Sequence, residues 1–269
     1  MLDDISYPMG RKAILVTSFG TSYNETREKT IDAIERRIAE AFPEWEVRRA
    51  WTSRMIIKKL KERDGTCIDY ITDAMEKLSE EGFEKVVVQP THIMNGTEYD
   101  DVVKAVDGYI EKIPDLRVGR ALLTTIEDYD AVVEAIRSCL LPLCGERDLV
   151  LMGHGTEHYA NATYCQLQMK LRSAGIDNVY ITTVEGYPEF EDTLRLMNHR
   201  KCRKAVAIPF MIVAGDHAIN DMAGDDDDSL RHFLESNGYE TECIVRGLGE
   251  FPGFRDLFVQ HIRDAMGAE

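Results

Sequence analysis

Short apolar runs and amphipathic stretches alternate along the whole chain. Lys12–Ser18 (KAILVTS) is an apolar run that predicts a strand. Glu25–Phe42 then carries Ile31, Ile34, Ile38 and Phe42 at helical spacing. Glu46–Thr52 predicts a second strand, and Ile68–Leu78 a helix with Ile68, Ile71, Met75 and Leu78 on one face. Lys85–Gln89 (KVVVQ) predicts a third strand, Tyr99–Ile113 an amphipathic helix, and Arg117–Thr124 a fourth strand. A helix bearing Val132, Val133, Ile136 and Leu140 follows.

The order then restarts. Strands are expected at Asp148–Met152, Asn178–Val184, Lys204–Val213 and Cys243–Gly247. Helices are expected at Asn161–Ser173, Phe190–Asn198, Ser229–Asn237 and Phe254–Met266. Runs of β-branched residues without polar alternation imply strands covered on both faces, which means parallel strands between helices. The stretch Ser18–Thr21 is echoed by Gly153–Thr156, and Lys85, Pro90 and Gly96 by Lys204, Pro209 and Gly215 at one constant offset. The expected fold is therefore α/β, with two flavodoxin-like halves related by an internal repeat. Each is a four-stranded parallel sheet flanked by helices. The halves divide into residues 1–144 and 145–269, with the last helix free to pack back on the first half. One open sheet is the alternative.

Composition narrows the function. The chain has 269 residues with 48 acidic against 32 basic side chains, a net charge of −16. Such a surface disfavours non-specific binding to nucleic acid or anionic membrane. No apolar stretch approaches the roughly 20 residues that span a bilayer. The opening MLDDISYPMG has neither the basic start nor the apolar stretch of a secretory signal. Six scattered cysteines, none in a CxxC pair, suit a reducing compartment. A cytoplasmic protein is expected.

In open parallel sheets, ligands bind beyond the carboxyl ends of the strands. In the second half those ends are followed by Gly153-His154-Gly155-Thr156, Glu185-Gly186-Tyr187-Pro188 and Ala214-Gly215-Asp216-His217. The first strand of a doubly wound sheet lies between the second and third, about 4.8 Å from each. His154 then stands between Glu185 and His217. Two imidazoles and a carboxylate form an N,N,O set suited to a borderline divalent metal (Co, Fe, Ni or Zn) or to acid–base chemistry. The corresponding strand ends of the first half carry Ser18, Thr52 and His92.

Other candidates lie nearby. Arg54 and Lys58, just past the second strand, are local cations in an acidic chain and can hold carboxylates of an anionic ligand. The backbone amides around Gly20 and Thr21 precede a helix and offer a second anion seat. His158 reads as a rim residue, and Asp225–Asp228 as acidic residues at a helix start. Neither glycine motif matches GxGxxG or GxxxxGK[ST], and GxSxG is absent, so nucleotide binding and α/β-hydrolase chemistry are unsupported.

Six segments together carry a resemblance: Ser18–Ser22 (SFGTS), Thr52–Ile57 (TSRMII), His92–Tyr99 (HIMNGTEY), Met152–Gly155 (MGHG), Val184–Pro188 (VEGYP) and Val213–Met222 (VAGDHAINDM). The sequence resembles the anaerobic cobalt chelatases of cobalamin biosynthesis, the class II, ferrochelatase-like sirohydrochlorin cobaltochelatases. The resemblance implies two α/β halves around a cleft that takes a tetrapyrrole, with metal held by His154, Glu185 and His217. It implies that Co²⁺ is inserted into sirohydrochlorin with release of two protons, without an organic cofactor. Ser18, Gly20, Thr21, Arg54, Lys58 and His92 are the substrate-binding candidates. Thr156-Glu157-His158 adds an acid and an imidazole beside His154. Insertion of Fe²⁺ or Ni²⁺ into the same ring, a non-catalytic metal or tetrapyrrole carrier, and a metal-dependent hydrolase are the rival readings. The expected partners are sirohydrochlorin and the divalent metal, with room for a homo-oligomer.

Overall fold

A computed structural model describes residues 10–267. The opening stretch 1–9, on which the reading of a missing secretory signal rests, lies outside the described residues. Eight strands form two four-stranded sheets. β1 (Lys12–Ser18), β2 (Glu46–Trp51), β3 (Lys85–Pro90) and β4 (Asp115–Val118) are ordered β2-β1-β3-β4. β5 (Asp148–Gly153), β6 (Val179–Thr183), β7 (Lys204–Pro209) and β8 (Glu240–Cys243) are ordered β6-β5-β7-β8. All pairings are parallel and the two orders are the same.

Alternate residues of each strand enter different cores. Ala13, Leu15, Val86 and Val88 pack with Met75, Leu78 and Val102 on the outer face of the first sheet. Val150, Met152, Ala205 and Ala207 pack with Met197, Leu230 and Leu234 on the outer face of the second. The opposite faces share one core: Ile14, Val16 and Val87 join Leu149, Leu151 and Ile208 through a layer of helices. Both faces of β1 and β5 are thus covered, which is why KAILVTS and DLVLMG are apolar without alternation.

The final helix, Pro252–Met266, lies against the helix Ile31–Ala41 and against β3 and β4. Phe254, Phe258 and Ile262 enter the shared core. Polar contacts seat it on the first half. Arg37 Nε donates to Asp256 Oδ1 at 2.6 Å, and Arg120 bridges Asp264 (2.6 Å) and Asp128. Buried His261 lies 3.1 Å from Asp128 Oδ1.

Several boundaries differ from the pattern. The single helix expected over 25–42 is two, Asn24–Lys29 and Ile31–Ala41, broken at Thr30. Buried Thr30 donates from Oγ1 to Thr26 O at 2.6 Å, and Gly249 of the second half presses against it closely enough that a Cβ there would lie 2.9 Å from the Thr30 Cβ. The helix expected from Ile68 starts at Ile71, because Trp51 N draws Asp69 O into a strand-like contact. The helix expected over Tyr99–Ile113 is Thr97–Asp107. β4 stops at Val118, where the buried Gln89 side chain occupies the space a Cβ at Gly119 would need. β8 covers Glu240–Cys243 rather than Cys243–Gly247, since Lys204 at the start of β7 pairs with Glu240. Thr52–Lys59 leads into a helix, Arg54–Asp64, whose N-cap Ser53 accepts from Ile56 N.

All six cysteines are free thiols. No helix among the described residues is long and apolar enough to cross a membrane.

Candidate metal centre

The loops after β5, β6 and β7 meet at the carboxyl end of the second sheet, because β5 is flanked by β6 and β7. Glu185 N donates to His154 O at 2.7 Å, continuing the β5–β6 ladder beyond the strands. Gly155, at φ +83°, lets the two loops touch: a Cβ there would stand 2.1 Å from Glu185 O. The β7 loop delivers His217, whose ring centroid lies 4.5 Å from that of His154 with the planes crossed at 84°.

The second nitrogen of each ring is committed. His154 Nδ1 lies 2.9 Å from Gly155 O. A carbonyl can only accept, so Nδ1 carries the proton. His217 Nδ1 donates to Asp221 Oδ2 at 2.6 Å, four residues on. Both rings therefore leave Nε2 as the nitrogen with a lone pair to offer, the arrangement by which a neighbouring acceptor sets the tautomer of a metal-binding imidazole.

Glu185 shares the site through its backbone. Its carboxylate is exposed, and no set of three His, Cys, Asp or Glu side chains is closed around one point among the described residues. An exposed carboxylate keeps its water unless a cation compensates the loss. The structure thus brings His154 and His217 together and leaves the Glu185 side chain outside the pair.

The candidate residues of the first half are placed as follows. Ser18 is buried, and its hydroxyl accepts from Thr91 Oγ1 at 2.9 Å. Gly20, at φ +103°, lies over the Trp51 ring, which a Cβ would meet at 2.5 Å. Thr21 Oγ1 accepts from Tyr23 N. Arg54 is exposed, with its guanidinium 3.6 Å over the Tyr70 ring, and Lys58 stands in solvent 3.8 Å from Glu62. His92 has both ring nitrogens covered and without partners, and burial pushes its pKa down to about 4. His158 Nδ1 accepts from Ala160 N, so its Nε2 faces Asp100 of the first half at 3.7 Å rather than joining His154. Asp225–Asp228 are largely exposed, and the cap of the following helix is Ser229.

Comparison with known proteins assigns the chain. Residues 12–267 match the profile of the cobalt chelatase (CbiK) family. The chain belongs to the cobalt chelatase family. It is 39% identical over 256 residues to a sirohydrochlorin cobaltochelatase of Salmonella typhimurium, covering 95% of this chain and 97% of that one. It is 32% identical over 270 residues to the sirohydrochlorin cobaltochelatase CbiKC of Nitratidesulfovibrio vulgaris, covering 97% and 93%. Among solved structures, SirB from Bacillus subtilis with Fe³⁺ superposes with a TM-score of 0.65 at 11% identity, over 96% of each chain. CbiX, from denitrifying bacteria, gives a TM-score of 0.55 at 15% identity over 94% and 99%. These two likenesses bear on the fold.

The carboxyl ends of both sheets carry exposed apolar side chains. Phe19, Met55, Tyr159, Tyr187 and Ile219 follow β1, β2, β5, β6 and β7, and all five are exposed, Tyr159 to 83% and Met55 to 74%. All five lie on loops that leave the carboxyl ends of the strands, the end at which open parallel sheets bind ligands. Polar contacts cross the gap beside them: Tyr23 to Asp216, and His158 to Asp100. Asp221, Tyr23 and Asp216 were given no role from sequence. Asp221 carried a signal, its spacing of four from His217. Tyr23 and Asp216 carried none, because nothing local links positions so far apart.

Proposed function

We propose that this cobalt chelatase inserts Co²⁺ into sirohydrochlorin in anaerobic cobalamin synthesis, releasing two protons as two pyrrole N–H bonds give way to bonds with the metal. The supporting observation is the His154–His217 pair, with both Nδ1 atoms committed and both Nε2 atoms on offer at the carboxyl end of the second sheet. His154 and His217 receive the hydrated ion and displace water. Glu185, on the adjoining loop, swings its exposed carboxylate to the ion and neutralises part of its charge. Thiolates are absent from these loops, so the ion is held by borderline donors that release it to the ring. One imidazole accepts a pyrrole proton and passes it to bulk water.

The exposed apolar side chains support binding of a flat macrocycle, and Arg54 with Lys58 supports binding of its carboxylate arms. The N,N,O donor set is compatible with Fe²⁺ and Ni²⁺ as well, and the family assignment favours Co²⁺. A cytoplasmic setting accords with the six free thiols.

The test is anaerobic mixing of sirohydrochlorin and Co²⁺ with catalytic amounts of protein, followed by absorbance. Many turnovers are expected for the wild type and none above background for His217→Ala, with tetrapyrrole binding retained. Insertion limited to one equivalent, or near-normal turnover by the variant, would overturn the assignment.

A further inference from the structure

We infer that Asn161 is a positioning residue: it clamps the His154 loop to the Glu185 loop and so sets where the Glu185 carboxylate meets the metal. The inference rests on the metal-binding reading above. Asn161 closes the short turn Tyr159–Asn161 and immediately precedes the helix Ala162–Ser173. An asparagine in that place ordinarily turns its side chain onto the first amides of its own helix. This one makes no such bond. Its Oδ1 accepts from Thr156 N at 3.1 Å, and its Nδ2 donates to Tyr187 O at 2.7 Å. Thr156 is two residues beyond His154, and Tyr187 two beyond Glu185.

The amide sits in a space built to its shape. A Cβ at Gly186, φ +148°, would lie 2.7 Å from Asn161 Oδ1 and 3.2 Å from Thr156 N. On the other side Gly155 already brings backbone against backbone at Glu185. Only a side chain that both accepts and donates satisfies the two loops at once. Aspartate would accept from Thr156 N and set a second acceptor against the Tyr187 carbonyl. Leucine fills the volume and bonds neither loop.

The Glu185 side chain is exposed and belongs to no cluster of three His, Cys, Asp or Glu among the described residues. The reach of its free carboxylate is therefore set by where its backbone is anchored, and beyond the strands that backbone is held by the Val184 and Glu185 amides and by the Asn161 clamp. Loosening the clamp leaves the Glu185 loop held to the His154 loop by the Val184 and Glu185 amides alone, without touching either donor. Loss of such supporting contacts around a metal typically costs about 10–100-fold in affinity.

The experiment is an anaerobic titration of the full chain with Co²⁺ alone, read by its visible d–d absorption, on wild type, Asn161→Asp, Asn161→Leu and His154→Ala. The expected result is a saturable wild-type spectrum that His154→Ala abolishes. Both Asn161 variants should shift the bands and raise the dissociation constant about 10–100-fold. Their thermal midpoints and sirohydrochlorin affinities (followed by protein fluorescence) should stay near wild type. Unchanged Co²⁺ spectra in either folded variant would overturn the assignment of Asn161. So would loss of fold in both, or an equal loss of tetrapyrrole binding. A wild-type Co²⁺ spectrum indifferent to His154→Ala would instead overturn the metal-binding reading on which it stands.

Discussion

The phenol of Tyr23 donates a 2.5 Å hydrogen bond to Asp216 Oδ1, tying the loop after β1 to the residue immediately before His217. The carboxylate disfavours ionisation of its donor, so the phenol is held above its usual range and the bond persists well past neutral pH. A tetrapyrrole reaching His217 from this side must part the two residues. Tyr23→Phe should therefore speed association of sirohydrochlorin several-fold while leaving the turnover per bound complex little altered. Stopped-flow fluorescence checks it, and slower association would show that the bond shapes the cleft rather than bars it.

Asp221 dictates which nitrogen of His217 carries the proton. In Asp221→Asn the amide can donate to Nδ1 and drive the proton to Nε2, masking the metal-facing lone pair. Co²⁺ affinity should fall about 10–100-fold. The accompanying change of tautomer is observable by ¹⁵N chemical shifts of the His217 ring, and a ring that stays protonated at Nδ1 with full affinity would contradict the role.

His92 sets a pH dependence of stability. Its pKa is depressed from 6.5 to about 4 by burial. As pH falls below 6.5 the unfolded chain takes up a proton that the folded chain refuses until about 4. Stability is thus complete above the unfolded value and declines through this window by ~3 kcal/mol. His261, likewise lowered by burial, acts in the same direction. His92→Phe should remove part of the slope between pH 7 and 4 in urea denaturation, and should raise stability at pH 7, since both ring nitrogens are covered without partners.

Arg54 and Lys58 face solvent, where charge contacts contribute about 1 kcal/mol or less each and are screened by salt. The double variant Arg54→Ala, Lys58→Ala should raise KM for sirohydrochlorin about five-fold at low ionic strength with kcat nearly unchanged. The difference should shrink in 0.5 M salt, on the order of three times the physiological value. A drop in kcat instead would move these residues from capturing the ligand to orienting it.

The sheets were legible because burial on both faces removes polar residues from the strands: KAILVTS and DLVLMG announce themselves without reference to anything distant. The meeting of His154 and His217 was legible too, since a doubly wound order forces the tips of β5 and β7 side by side. What escaped depends on partners remote in sequence. The break at Thr30 exists because Gly249 presses on it from the other half. The start of β8 follows the pairing of Glu240 with Lys204 and carries no apolar signature of its own. Tyr23 and Asp216 look like any tyrosine and aspartate until the cleft brings them together. Asn161 reads only as the first residue of a helix, and its amide serves two loops that the sequence does not connect to it.

The helix Pro252–Met266 buries Phe254, Phe258 and Ile262 in the layer that also shields Ile34 and Ile38. On the ribosome this means that the earliest-made sheet waits, one apolar flank bare, until the whole later sheet has been translated. Neither half can then be a self-sufficient folding unit, and severing the polypeptide between them should yield two fragments that stay soluble only when expressed together.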